Sequence, residues 1–253
     1  MSGRGPVGTA LIVAALLVIL RFAAPAAGQT ALPCAPFTQQ PLAAPAPREA
    51  GAAVRRFELI NRRVKSLPHR ILFLGDSITE RFDPEVWRRN MMPRGVLNAG
   101  VNGDRTEHLL WRLEHGNLAG PPPAGIVLLI GTNDLTNGGH GRSPAVAAEG
   151  IRADLGYLRR HLPAARILLL GLWPRGAAPA DRLRRATVAV NRLIQTCGDD
   201  RAIVYADIGD VLLDPEGRLT RAISPDLLHF SRRGYERLAP LLDALLDRRL
   251  AGR

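Results

Sequence analysis

Cysteine, lysine and aromatic residues are all scarce in this chain of 253 residues, which holds two cysteines, one lysine and only 5% aromatics. Two cysteines exclude a disulfide-stapled miniprotein. With lysine nearly absent and arginines scattered through every segment, the formal net charge of +11 forms no basic stripe. No aromatic interleaving or recognition motif accompanies that charge, so no nucleic-acid partner is expected. What is present, 46% hydrophobic and 23% charged residues, describes one ordinary globular domain with some extra length. Disorder and a collagen-like chain are excluded, and the core needs no metal or disulfide support.

A spanning helix is also missing from the apolar N-terminus. Arg4 precedes the apolar run from Val7 to Leu20, which Arg21 stops after about 14 residues, short of the ~20 a bilayer requires. The small residues Ala23, Ala24, Pro25, Ala26, Ala27 and Gly28 follow, completing the order of a secretory signal. Residues 1–28 are therefore expected to be a signal peptide for a periplasmic or extracellular protein, with an uncleaved membrane anchor as the alternative. Export makes a bridge between Cys34 and Cys197 chemically accessible, against the alternative of two unrelated thiols. Pro33 directly before Cys34 argues against lipid modification there.

A Pro- and Ala-rich leader, 29–48, precedes a domain at 49–253. Helical spacing then places Val54, Phe57, Ile60 and Val64 on one face, up to Pro68. Five apolar runs read as strands: Ile71–Leu74, Val96–Ala99, Ile126–Ile130, Ile167–Leu172 and Ile203–Ile208. Between them Pro84–Met91, Glu107–Glu114, Pro144–Leu162 and Asp181–Thr196 read as helices, and Ser231–Arg248 closes the chain with another. Continuous apolar strands alternating with helices predict an α/β fold with a parallel sheet covered on both faces.

Ligands in such sheets bind beyond the carboxyl ends of the strands. The loops there hold Gly75-Asp76-Ser77-Ile78-Thr79, Gly100-Val101-Asn102-Gly103-Asp104 and Gly131-Thr132-Asn133-Asp134, with Asp226-Leu227-Leu228-His229 ahead of the last helix. Ser77 sits where a sharp strand-to-helix turn exposes a hydroxyl near a helix N-terminus. Taken alone it reads equally as a turn serine that caps a helix. Its rival Ser143, followed by Pro144, reads as an N-cap. A serine nucleophile needs an imidazole oriented by a carboxylate. Of six histidines, only His229 has an acid, Asp226, three positions earlier. Gly100 and Asn133 are candidate donors to an oxyanion. His140, in the Gly-rich loop Asn137-Gly138-Gly139-His140-Gly141, reads as a solvated loop residue or a substrate contact.

Together these blocks resemble the SGNH (GDSL) hydrolases over about residues 50–248. Gly75-Asp76-Ser77 matches the serine block, Asn98-Ala99-Gly100 with Gly103 the glycine block, Gly131-Thr132-Asn133-Asp134 the asparagine block, and Asp226 to His229 the last. Leu110-Trp111-Arg112-Leu113 and Gly171-Leu172-Trp173-Pro174-Arg175-Gly176 are similar to strings of the platelet-activating-factor acetylhydrolase branch. The resemblance implies a three-layer α/β/α sandwich with a five-stranded parallel sheet, the flavodoxin-like SGNH fold. It implies a metal-free triad of Ser77, Asp226 and His229, with Ser77, Gly100 and Asn133 forming the oxyanion hole. Residues matching Ile78, Thr132 and Leu228 would border the acyl site and favour very short acyl groups.

The expectation is thus an esterase acting on acetyl-like esters of lipids or glycans, with a carbohydrate O-deacetylase as the narrower alternative. A non-catalytic exported binding domain on the same fold is the alternative outside the enzymes. The signal and leader depart from the animal branch, so its regulatory partner and lipid-mediator substrate are not carried over; the resemblance leaves a homodimer open. No cofactor is expected. Gly100-Val101-Asn102-Gly103 does not complete a dinucleotide fingerprint and no Walker lysine is present. His108 and His115, seven apart on one helix, lack a third ligand, so no metal is expected.

Overall fold

The sheet is built from β1 (Ile71–Gly75), β2 (Val96–Gly100), β3 (Gly125–Leu129), β4 (Arg166–Leu170) and β5 (Ile203–Ala206), all parallel, in the order β2-β1-β3-β4-β5. The structure, a computed structural model, describes residues 44–136 and 141–250. The expected signal segment 1–28, Cys34, most of the leader, and Asn137 to His140 lie outside the described residues. Every residue of β1 and β3 is buried, as a parallel sheet covered on both faces requires.

The helices are α1 (Gly51–Ser66), α2 (Ser77–Glu80), α3 (Pro84–Val86), α4 (Thr106–Arg112), α5 (Pro144–His161), α6 (Arg182–Ile194) and α7 (Arg232–Leu245). On one side α4, α5 and α6 pack in a row; α7 packs with α3 and the segment after it. The sheet is therefore the middle of three layers. No helix among the described residues is long and apolar enough to cross a membrane.

Several boundaries differ from the sequence reading for local reasons. The face of α1 that meets the core carries Ala53, Ile60 and Val64, while Val54 is exposed and Phe57 half-buried. Pro84–Met91 is α-helical only to Val86, continues as a π turn and ends in a 3-10 turn before the left-handed Gly95. The strand expected at 167–172 stops at Leu170, because the Leu172 N–H and carbonyl are taken by the Asn191 side chain. Ser143 is an N-cap as read, accepting from Val146 N–H ahead of Pro144.

Edge strand β2 is covered instead of left open. Arg56, on α1, donates from Nε to the Gly100 carbonyl at 2.9 Å and from Nη2 to the Asn98 carbonyl at 3.1 Å. Cys197 is buried and disulfide-bonded, so it is no free thiol. From β1 the chain steps one way to β2, and from β3 the other way to β4. The crevice between the carboxyl ends of β1 and β3 is therefore the topological switch point, where such sheets bind ligands.

Candidate active site

Ser77 stands at that switch point because the turn after β1 has almost no room. A Cβ on Gly75 would lie 2.5 Å from the Leu129 carbonyl oxygen, and one on Gly100 would lie 2.3 Å from Glu80 N. The ends of β1 and β2, paired at Gly75 and Gly100, thus press directly onto α2. Asp76 caps α2 by accepting from Ile78 N–H at 2.9 Å, which leaves Ser77 at the first helical position. Its N–H there has no intrahelical acceptor. The residue is 2% exposed.

The imidazole comes from a different element. Asp226 Oδ1 accepts from the N–H groups of Leu228 at 3.0 Å and His229 at 2.7 Å, closing a tight turn through Leu227, whose φ of +63° is unusual for a branched residue. Ser224 Oγ donates to the His229 carbonyl at 2.8 Å, and Gly176 N–H donates to the Leu227 carbonyl at 2.9 Å. So placed, His229 Nδ1 lies 2.7 Å from Asp226 Oδ2, and Nε2 lies 2.9 Å from Ser77 Oγ. The contacts define the tautomer. Nδ1 faces a carboxylate and carries the proton, leaving the Nε2 lone pair for the serine hydroxyl. Partial burial opposes ionisation of Asp226, but the bonds from the His229 ring and the two N–H groups prevail and bring its pKa down to about 2.

The expected oxyanion donors are not all free. Asn133 is half-buried after β3, and its Nδ2 donates one hydrogen to the Asp104 carbonyl at 2.8 Å, so one remains. The Gly100 N–H donates to Asn98 Oδ1 at 3.1 Å and is occupied in this structure, a departure from its expected role. Gly103 is the better-placed glycine. It is the third residue of the turn closed by Asp104 N–H and the Val101 carbonyl, with φ +77°, a type II geometry that favours glycine. Its N–H meets no acceptor among the described residues, and it directly precedes Asp104, to which Asn133 bonds. Of the expected acyl-site residues, Ile78 and Thr132 are each 2% exposed and Leu228 is half-buried.

Beneath these loops lies a set of buried charges that the sequence reading did not assign. Arg112 donates from Nε to Asp104 Oδ2 at 2.6 Å. Arg142 grips Glu107 with both terminal nitrogens, at 2.6 and 2.7 Å, and reaches Asp134 Oδ1 at 2.9 Å. Thr106 adds N–H and Oγ1 donors to Asp134, at 3.1 and 2.8 Å. Arg175 donates to the Thr132 carbonyl at 2.9 Å and to the Thr136 hydroxyl. Burial raises Asp76 to about 7 and Asp104 and Asp134 each to about 6, against the opposing pull of the nearby arginines. Asp154, fully buried with no hydrogen-bond partner for either oxygen among the described residues, is raised further by the same cause. A protonated carboxyl is the form such a site favours.

Among the described residues no group of three or more His, Cys, Asp or Glu side chains could hold a metal ion. His108 accepts from Arg105 N–H through Nδ1, and burial lowers its pKa to about 4, so it serves as the neutral first-turn partner of α4.

An imidazole held between a carboxylate and a hydroxyl, at the switch point of a doubly wound sheet, defines a class: hydrolases built on a parallel α/β sheet. The chain belongs to the GDSL-like lipase/acylhydrolase family, whose model matches residues 73–237. It is 37% identical over 185 residues to the human platelet-activating factor acetylhydrolase IB subunit alpha1, covering 72% of this chain and 77% of that one. A Streptococcus pneumonia structure described as a candidate platelet activating factor superposes with a TM-score of 0.65 at 25% identity, covering 77% and 92% of the two chains. An acetylxylan esterase from Geobacillus stearothermophilus shares the fold, with a TM-score of 0.55 at 21% identity over 76% of this chain and 97% of its own. The protein is an enzyme of the esterase and acylhydrolase type, and its fold is that of the family.

Proposed function

We propose that the protein hydrolyses esters of short, acetyl-like acyl groups through a triad of Ser77, His229 and Asp226. The observation that carries this reading is the unbroken line of contacts from Asp226 Oδ2 through the imidazole to Ser77 Oγ. Ser77 Oγ attacks the ester carbonyl carbon while His229 Nε2 takes its proton. The tetrahedral intermediate then collapses: the carbon–oxygen bond to the alcohol breaks, and His229 returns the proton to the leaving oxygen. A water, deprotonated by His229, attacks the acyl-serine and releases the carboxylic acid and the free hydroxyl. Throughout, the Asp226 carboxylate holds Nδ1–H and stabilises the imidazolium.

The oxyanion is received by the Ser77 N–H, the free hydrogen of the Asn133 amide and the Gly103 N–H, which replaces the occupied Gly100 N–H in this role. Each such donor is worth roughly 3 kcal/mol of barrier. The short-acyl preference rests on the burial of Ile78, next in the chain to the nucleophile, and of Thr132, on the half-burial of Leu228, and on the acetyl chemistry named for the relatives. Hydrolysis of p-nitrophenyl acetate, butyrate and octanoate by residues 29–253, beside the Ser77→Ala variant, tests both parts. Rates that fall steeply with chain length and vanish in the variant support the proposal. Equal rates from the two proteins overturn the triad, and a preference for octanoate overturns the acyl assignment. Release of acetate from acetylated xylan, compared with a glycerolipid acetate, separates glycan from lipid substrates. Export follows the N-terminal reading, and sequencing the N-terminus of the mature protein tests it.

A further inference from the structure

Arg112 is 3% exposed at its side chain, and its hydrogen bonds among the described residues go to Gly75, Asp104 and Asn117, not to Ser77. All three ends of its guanidinium are engaged. Nη2 donates to the Gly75 carbonyl at 2.9 Å, Nε to Asp104 Oδ2 at 2.6 Å, and Nη1 to Asn117 Oδ1 at 2.6 Å. Gly75 ends the strand two residues before the nucleophile. Asp104 ends the turn that offers the Gly103 N–H, and its carbonyl holds the Asn133 amide at 2.8 Å. The Gly75 carbonyl also accepts from Val101 N–H at 3.1 Å, the first residue of that same turn. Asn117 in turn donates to Asn61 Oδ1 on α1 at 2.6 Å, which anchors the far side of the fork.

We propose that Arg112 is a positioning residue that fixes the nucleophile strand against the oxyanion arm, through the fork it makes to Gly75 and Asp104. The inference rests on the oxyanion reading given above. Only arginine supplies planar donors in the three directions required; a lysine ammonium is a point charge on a flexible stem. A shift of about 1 Å between reacting groups is enough to lower a rate by about 100-fold. Loss of the fork should therefore appear in turnover and not in substrate binding.

The test is a double-mutant cycle on the full catalytic domain with p-nitrophenyl acetate. Arg112→Lys keeps a charge beside Asp104 and loses the reach to Gly75. It should lower kcat by about 10- to 100-fold with KM changed by less than about 3-fold. In an Asn133→Ala background the same substitution should cost at least about 5-fold less, because the amide it helps to aim is gone. Losses that multiply in full, or that fall on KM, overturn the proposal. Should Arg112→Lys not fold, Asp104→Asn, which keeps the carbonyl to Asn133, replaces it in the same cycle with the same expectation; if neither folds, the pair serves stability and the proposal falls. Ser77→Ala run alongside separates the two readings: an active Ser77→Ala defeats the triad, whereas an inactive one with a multiplicative cycle defeats only the role of Arg112.

Discussion

The two halves of the site are held in opposite ways. Ser77 is buried and the oxyanion arm half-buried, and the charges under them come from the turn after β1, the loops after β2, β3 and β4, α4, the segment leading into α5 and α5 itself. Asp226 and His229 instead share one tight turn, and the Asp226 side chain is 55% exposed. The nucleophile is fixed by long-range contacts at low dielectric, where a missing partner leaves a charge stranded. The base is fixed mainly by hydrogen bonds between residues at most five apart, with one long-range bond from the Gly176 N–H to the Leu227 carbonyl. Substitutions on the exposed turn should thus remove chemistry and spare the fold, while substitutions below the serine should touch both.

The largest effect that would break this contrast is His229→Ala. It should lower kcat by about 10⁵-fold or more with Tm nearly unchanged, measured by initial rates and thermal unfolding; a protein that loses several degrees would show the turn to be structural as well. Asp226→Asn comes next, at about 10³- to 10⁴-fold in kcat. Its Oδ1 still serves the turn, but an amide NH₂ facing Nδ1 turns the imidazole to the wrong tautomer. Asn133→Ala on the buried side should cost about 100-fold or more in kcat; a loss of only a few-fold would remove it from the oxyanion hole.

The smallest effect sharpens the comparison through pH. Asp226, depressed to about 2, contributes stability that is present above its unfolded value near 4 and is lost as pH falls through 2. The buried carboxyls have the opposite sign: raised to between about 6 and 7, Asp76, Asp104 and Asp134 favour the fold at low pH and progressively less as pH rises through that range. Asp154 shares that direction without a hydrogen-bond partner among the described residues. Asp154→Asn should therefore raise Tm at about pH 8 by a few degrees, flatten the decline from about pH 5, and leave kcat within about 2-fold. A lower Tm at pH 8 would mean that the ionised form of Asp154 is stabilised after all.

The same contrast explains which features the sequence made visible. The strands and their order of loops follow from apolar runs, and Asp226 to His229 is legible because its geometry spans three residues. The fork of Arg112 joins positions 75, 104 and 117, and no local pattern links them; the signals are a charged residue between the buried Leu109 and Leu113 and its place in the family-like string Leu110-Trp111-Arg112-Leu113. Gly100 and Gly103 differ for a related reason. Gly100 looks like the glycine after a strand that approaches a ligand, but its tight spacing serves α2 and its N–H serves Asn98, whereas Gly103 owes its free N–H to a turn. The Val54 face of α1 failed because a spacing of three or four residues fits two neighbouring stripes, and packing against the sheet selected that of Ala53, Ile60 and Val64.

One consequence concerns the order in which the chain is made. Ser77 and the imidazole proposed to activate it are 152 residues apart. As the ribosome releases the polypeptide, the serine turn, the oxyanion arm and all five strands emerge before the residue proposed to make them reactive. On the proposed mechanism, a nascent or truncated product ending before residue 229 would lack its base, and with it the bond from the Tyr235 hydroxyl to the Ile78 carbonyl beside Ser77. On that mechanism, ester hydrolysis would report that synthesis has passed the last loop and that the loop has docked.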